Sequence, residues 1–442
     1  MYHIISYIIN FLLPDNEHLA GEIGYTDDEK EFDKFCVIIR PSGFFDKENY
    51  GKISSLPKLP LQKIKEIAGH TSTSLSNQAR NDGGTEILFG TPDIKQKNGK
   101  IFVNADIIAS SFFLLSRYEE WLCSDVFDEH SRFEGKKSLQ YRANFLHRPL
   151  VDEYAVLLRK WLKLIGFKVN EAKEEIKKIY LTHDIDFLEY HRHLRGFVGG
   201  MLRGNNVFKS LQSIKNDPAY TFDFLVEQDN KVENAKKIYF VKAAKKTKKF
   251  DYPQYNLNGN DFQNLAKFLQ KNDCKIGLHS SYNAFSNPQD IEKEQNKISK
   301  AISEKVTSHR THYLRILPPN QSEFYTKAGI VDDFTLGFAD VAGFRLGTCR
   351  PVHWINPQML EIENITLHPL TIMECSLSNE NYMNLNFETA FEVCKNLINQ
   401  VKKHNGELVL LWHSTSVTSE SGYQRELYEK IIEDLKVLTK KT

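Results

Sequence analysis

Hydrophobic and polar positions divide the chain into two parts of different rhythm. Up to about residue 166 the pattern is mixed. Ile4-Ile5-Ser6-Tyr7-Ile8-Ile9-Asn10-Phe11-Leu12-Leu13 predicts a first strand or helix, and 35–39 a strand ended by Pro41-Ser42-Gly43. Residues 85–90 and 100–104 predict two more strands, with Asn98-Gly99 as a turn between strands. Asp106 is placed to cap a strongly apolar helix from 107 to about 121, whose surface would bear Arg117, Glu119 and Glu120. After Pro149, residues Val151, Tyr154, Ala155, Leu158, Leu162 and Ile165 recur at helical spacing, with Gly166 as the stop. These elements predict a smaller α+β accessory domain over 1–170.

Past a charged junction at 171–178 the rhythm changes. Short apolar runs at 178–183, 237–241, 275–279, 305–309, a pair between about 329 and 346, 364–368 or 371–376, and 407–412 read as strands. Between them, 261–271, 288–305, 387–403 and 424–440 read as helices. Such alternation predicts a parallel sheet or barrel. Seven or so strand–helix repeats over ~265 residues is barrel-sized. The second domain is expected at 171–442.

Composition narrows the function. A chain of 442 residues suits two domains, and 58 basic against 57 acidic residues leave +1, so no global field draws it to nucleic acid or an anionic membrane. Six scattered cysteines without a Cys-x-x-Cys pattern suit free thiols in a reducing compartment. No lysine or arginine precedes the N-terminal apolar run, and no small-residue cleavage site follows it, which argues against a signal peptide. No stretch approaches ~20 uninterrupted apolar residues. A cytoplasmic protein without a membrane span is expected. The basic segment 236–249, with Lys236, Lys237, Lys242, Lys245, Lys246, Lys248 and Lys249, reads as a solvated face or flexible loop. An anionic-glycan or phosphate contact is the rival reading.

Chemistry collects where the predicted strands end. Lys177-Lys178-Ile179-Tyr180-Leu181-Thr182 runs directly into His183-Asp184-Ile185-Asp186. Two carboxylates one residue apart cannot be buried unpaired. They face a metal, face each other across a reactive pocket, or cap the next element. Later runs end in His279-Ser280-Ser281-Tyr282-Asn283, in His309-Arg310-Thr311-His312-Tyr313, and in Leu410-Leu411-Trp412-His413-Ser414, while Asp340 and Arg345 fall near one turn. In a barrel, residues that follow the strands converge on one face.

On these motifs the second half resembles the polysaccharide deacetylase family of carbohydrate esterases, whose fold is a distorted (β/α)7 barrel. The stretch Phe145-Leu146-His147-Arg148-Pro149-Leu150-Val151-Asp152-Glu153-Tyr154, with Arg132-Phe133 and the 106–121 helix, resembles the uncharacterised N-terminal domain of a bacterial subgroup of that family. The resemblance implies Asp184 as general base and Asp186 as metal ligand, although the family's commoner form has adjacent acids. His279-Ser280 matches the start of a His-[Ser/Thr]-x-x-His motif whose second histidine is here Asn283. His312 is the candidate replacement ligand, against Asn283 oxygen, His183 or water. Arg310-Thr311-His312-Tyr313 is similar to the family's Arg-x-Pro-Tyr motif, implying that Arg310 orients the base. Leu410-Leu411-Trp412-His413 matches Leu-x-x-His, implying His413 as the acid. Asp340 or Arg345 is the candidate for part of the fourth motif.

What the resemblance implies is a divalent metal, Zn²⁺ with Co²⁺ or Ni²⁺ as alternatives, on Asp186, His279 and His312. It would activate water and polarise an acetyl carbonyl. His413, near its ordinary pKa, would protonate the leaving amine. A backbone N–H near Tyr313 would help hold the oxyanion. Tyr282, Tyr313, Arg345, Trp412 and Trp354 are candidate contacts to a carbohydrate. The expected activity is removal of N-acetyl groups from a sugar in a polysaccharide or glycan precursor. The rivals are a hydrolase of another amide or ester, and a non-catalytic carbohydrate-binding protein on the same barrel. A phosphohydrolase using His183-Asp184 would need further histidines along helices, which the sequence lacks.

Overall fold

The computed structural model describes residues 1–64, 84–192, 194–204, 207–244 and 249–440. Lys245, Lys246 and Lys248 of the basic segment lie outside the described residues. In the N-terminal part, strands β1 (Ile23–Tyr25), β2 (Val37–Ile39), β3 (Gln62–Ile64), β4 (Thr85–Ile87), β5 (Gly90–Lys97) and β6 (Lys100–Ala105) form two sheets. One has the order β1-β2-β6-β5, and β3 pairs with β4 alone. Asn98 and Gly99 both take positive φ and turn β5 into β6, as that dipeptide predicts. The N-terminal run is a helix, Tyr2–Leu12, packed against the helices Ile107–Leu115 and Leu150–Leu164. Asp106 Oδ1 accepts the Ala109 N–H at 2.9 Å, the expected cap.

The capped helix is shorter than its apolar run suggests. It ends at Leu115, Arg117 adopts a left-handed backbone with φ 56°, and a second helix covers Tyr118–Leu122. Nor do the charged residues here form a surface. Arg117 and Glu119 are only 4% and 8% exposed. Arg117 Nη1–H donates to the Leu317 carbonyl, and Glu120 takes both Nε–H and Nη2–H of Arg345 at 2.8 Å. The charges are buried because the second part of the chain packs onto this face, where Arg117 and Glu120 find partners, while Glu119 pairs with Arg142 and accepts the Leu139 N–H.

The second part holds β7 (Lys178–Ile185), β8 (Lys236–Lys242), β9 (Cys274–Ser280), β10 (Ser308–Thr311), β11 (Asp332–Asp333), β12 (Val352–Asn356), β13 (Glu361–Leu367), β14 (Ile372–Met373) and β15 (Glu407–Leu411). The sheet order is β12-β13-β11-β10-β9-β8-β7-β15-β14, and only the β12–β13 pair is antiparallel. Between 329 and 346 a single two-residue strand forms instead of the expected pair, and β12 was not anticipated. β13 and β14 are parts of one segment. β13 pairs with β11 (Thr366 with Asp332) and β14 with β15 (Met373 with Leu411), so the segment 361–373 touches both sides of the curled sheet. Pro369, which has no N–H for a ladder, lies at the break between them.

Alternation along the strands separates two cores. Tyr180, Ile238, Phe240, Val409 and Leu411 pack inside the curl with Phe334, Leu370 and Met373. Ile179, Leu181, Tyr239, Val241, Leu408 and Leu410 face the surrounding helices. Gly277 belongs to the inner set because a Cβ there would lie 2.6 Å from the Phe240 ring. Since side chains alternate, this parity decides where every residue at a strand end points. Among the described residues no helix is long and apolar enough to cross a membrane.

Candidate metal centre and catalytic groups

Counting by twos from the inner core positions, β7 sends Thr182, Asp184 and then Asp186 inward, β8 sends Lys242, β9 sends His279, β10 sends Arg310, and the residue after β15 sends His413. The outward positions carry His183, His309 and Trp412. Each bears out the count. His183 is fully buried against the helices, with Nδ1 2.9 Å from the Trp412 carbonyl and Nε2 3.0 Å from Asp229. His309 is held by Asp333 at 2.7 Å and Ser280 at 2.8 Å. His183 is therefore committed elsewhere and is no metal ligand, and Asn283 is solvent-exposed on a short helical turn.

Asp186, His279 and His312 come together. Asp186 Oδ1 lies 3.5 Å from His279 Nε2 and 3.4 Å from His312 Nε2. Two ligands about 2.1 Å from a tetrahedral centre stand about 3.4 Å apart. Asp186 Oδ1 and His279 Nε2 are both buried without a hydrogen-bond partner. Unpaired polar atoms in such a setting call for an explanation, and a shared cation supplies one. The far ring nitrogens are already used. His279 Nδ1–H donates to the Arg310 carbonyl at 3.0 Å, and His312 Nδ1–H donates to Asp251 Oδ1 at 2.8 Å. Both rings thereby turn an Nε2 lone pair toward Asp186, the arrangement that orients histidine ligands. Burial lowers the His312 imidazole below its ordinary value and keeps it neutral, as a ligand must be. The donor set fits a zinc-like divalent ion.

Asp184 sits beside this group. Arg310 Nη1–H donates to its Oδ1 at 2.9 Å, while Oδ2 is 3.5 Å from His279 Nε2. Arg310 is fully buried, donates from Nη2 to Thr182 and from Nε to the Phe334 carbonyl, and lies under the Phe240 ring. Burial works against the Asp184 charge, but His279, Arg310 and His413 hold its carboxyl below the usual carboxylate range.

Across the cavity, His413 Nε2 is 3.9 Å from both Asp184 Oδ2 and Asp186 Oδ2. Its Nδ1–H donates to Glu374 at 2.7 Å, and Cys375 Sγ is 3.7 Å away. Burial opposes its charge, yet Glu374 raises the imidazole well above the ordinary histidine value. The expectation of an ordinary pKa is thus corrected.

Of these groups Asp184, Asp186, His312 and His413 line a cavity of about 320 Å³ that Arg132, Lys242, Lys249, Phe250, Tyr313 and Tyr382 also wall. Tyr313 is brought to it by left-handed backbone at Tyr313 and Leu314, φ 62° and 56°. Four other expected contacts are not free to meet a ligand there. Trp412 is fully buried, its Nε1–H donating to the Gln424 carbonyl. Trp354 is buried under the Arg117 guanidinium. Tyr282 has Phe250 stacked on it at 4.0 Å, and the Arg315 guanidinium lies 3.7 Å from the same ring's centroid. Arg345 is locked to Glu120 beneath the N-terminal part. Asp340 likewise accepts the backbone N–H groups of Gly135 and Lys136.

Four residues were missed, Lys242 and Arg132 on the cavity wall and Glu374 and Asp251 behind His413 and His312. Lys242 was grouped with a solvated basic segment, although it stands two residues past Phe240 and parity would have turned it inward. Glu374 follows β14 directly, an acid at a strand end. Asp251 and Arg132 belong to irregular chain and left no periodic signal.

A family model described only as a family of unknown function, DUF7033, matches residues 3–166. No curated protein matches the sequence. Among solved structures, a candidate polysaccharide deacetylase from Mycobacterium smegmatis is similar at 11% identity and a TM-score of 0.38, over 61% of this chain and 86% of that one. A likeness that distant carries no weight for the fold or the activity. The chemistry of the site rests on its own residues.

Proposed function

We propose that the chain is a metal-dependent hydrolase that removes N-acetyl groups from a sugar in a polysaccharide or glycan precursor. In this reading β7 to β11, the 361–373 segment and β15 are the seven strands of a distorted (β/α)7 barrel over 171–442, and 1–170 is an accessory domain. The observation that carries the reading is the Asp186–His279–His312 group, with its unpaired atoms and its two oriented imidazoles.

Asp186, His279 and His312 would hold a zinc-like ion, which when bound would supply Lewis acidity to an acetyl carbonyl and to water. Asp184 takes the proton of the attacking water at Oδ2, while Arg310 keeps the carboxylate ionised and fixes its plane. His413 gives its proton to the departing amine from Nε2, and Glu374 holds the ring in the protonated, correctly turned form. Acid and base thus act from separate strand ends, with their preferences for the proton pushed apart by separate partners.

The test is metal content of the purified protein, with His279→Ala and His312→Ala alongside, followed by acetate release from N-acetylated oligosaccharides. Near-stoichiometric Zn, Co or Ni, lost in both variants, is the expected result. No metal after zinc addition would overturn the reading in favour of a glycan-binding protein. Metal without acetate release from any N-acetylated glycan would point to another amide or ester.

A further inference from the structure

Lys242 is the last residue of β8 and only 4% exposed, yet its side chain lines the cavity. Among the described residues no carboxylate lies within 4 Å of its ammonium; Asp186, Asp251 and Asp184 act on it from beyond ion-pair distance, and the Phe187 ring centroid is 5.7 Å away. The surrounding acids have other duties. Asp184 pairs with Arg310, Asp251 accepts from His312, and Asp186 faces the two imidazoles. A desolvated ammonium that has no direct ion pair, and whose neighbouring acids are each bound to another group, is costly, so its position calls for a partner that enters from the cavity.

A second cation comes from the other part of the chain. Arg132 stands on a turn closed by the Phe127–Phe133 bridge, inside the segment matched by the family of unknown function. Asp128 holds its guanidinium at 2.7 Å, and the Tyr382 hydroxyl accepts a further N–H at 3.1 Å. The guanidinium is thereby fixed at the cavity wall, on the same cavity as Lys242. Lys249 adds an exposed ammonium at the rim, 4.5 Å over Phe250.

We infer that the cavity takes a sugar bearing an acidic group, a carboxylate or a phosphate ester, bound between Lys242 of the barrel and Arg132 of the N-terminal part. The inference rests on the hydrolase reading for the sugar and on the two cations for the charge. A neutral N-acetylated sugar would leave the Lys242 ammonium buried with only hydroxyl and amide partners, whereas an anionic substituent gives charge-assisted hydrogen bonds to both. It also assigns the N-terminal part a task, selection of substrate at the barrel mouth.

Calorimetric titration of the full chain with three probes tests this: a neutral N-acetylhexosamine oligosaccharide, one of equal length alternating with hexuronic acid, and an N-acetylhexosamine phosphate ester. At least one acidic probe should bind about tenfold or more tightly than the neutral one, a preference that shrinks with added salt. Which acidic probe wins decides between carboxylate and phosphate. Lys242→Gln and Arg132→Gln should each bring the acidic-to-neutral ratio toward one, and Lys242→Arg should retain part of it, with circular dichroism reporting the fold. Equal affinity for all probes, no binding of any, or an undiminished preference in Lys242→Gln would overturn the inference. Acetate release is followed separately, so an acidic preference lacking it sinks the N-deacetylase reading alone, and acetate release lacking the preference sinks this inference alone.

Discussion

Asp251 accepts the Nδ1–H of His312 at 2.8 Å, on the side of the ring opposite the nitrogen that faces Asp186. One carboxylate thus sets the tautomer of a histidine whose neighbour in sequence, Tyr313, is in left-handed backbone. Without it the ring could turn or take the other tautomer, and Nε2 would no longer offer its lone pair. Asp251→Asn should therefore weaken metal affinity about 10–100-fold while leaving the protein folded. Titration against a chelator of known affinity checks it, and unchanged affinity would leave Asp251 a purely structural residue.

Asp184→Asn separates the base from the metal. The amide cannot take a proton, so acetate release should fall about 10²-fold or more, with metal content close to wild type. Loss of metal in this variant would instead make Asp184 a ligand.

Glu374→Gln should move the alkaline limb of the pH–rate profile to lower pH. Glu374 raises the His413 imidazole well above its ordinary value, so the protonated acid persists to higher pH in the wild type. Removing that charge lets it deprotonate earlier. An unmoved limb would show that His413 is not the group whose deprotonation ends activity.

Arg345→Ala tests the correction that took this residue out of the cavity. It would leave Glu120, whose side chain is 9% exposed, without its bidentate partner, at a cost of about 3–5 kcal/mol in chemical unfolding. Metal content should not change. A stable variant with altered substrate binding would restore the ligand-contact role.

His368 gives the structure a pH-dependent contribution away from the metal group. Burial pulls its imidazole down, but Asp332 at 3.1 Å and Glu407 at 2.8 Å raise it above the ordinary histidine value. The folded state therefore holds the proton more tightly than the unfolded one. The stabilisation is fully present below about pH 6.5 and disappears as pH rises through the folded-state value. The stability gap between wild type and His368→Asn should be larger at pH 6 than at pH 9, and a gap that does not change with pH would contradict this.

Much of the second half, with its curled sheet, was legible in the sequence. Its parallel strands are buried on both faces and read as short apolar runs, and the expected runs at 178–183, 237–241, 275–279, 305–309 and 407–412 overlap β7, β8, β9, β10 and β15, while 364–368 and 371–376, read as alternatives, overlap β13 and β14 respectively. The helices at 261–271, 387–403 and 424–440 match to within a residue, since their apolar stripes pack on that sheet. β11 falls inside the pair expected between about 329 and 346 but is a single strand of two residues, and β12 was not anticipated.

What the sequence by itself determined is the parity of the strands. Once Tyr180, Phe240 and Leu411 are inside, the two-residue repeat sends Asp184, Asp186, Lys242 and His413 to the same side, and turns His183 and Trp412 to the other. Local sterics of an extended chain need no tertiary information for that. Tertiary structure alone decided the partners that come from irregular chain. Asp251 reaches His312 across 61 positions, Arg345 reaches Glu120 across 225, and Arg132 enters the cavity from a turn in the other part of the molecule. A loop carries no repeat from which its side-chain direction can be counted. Its placement follows only from what the folded sheet leaves for it to contact.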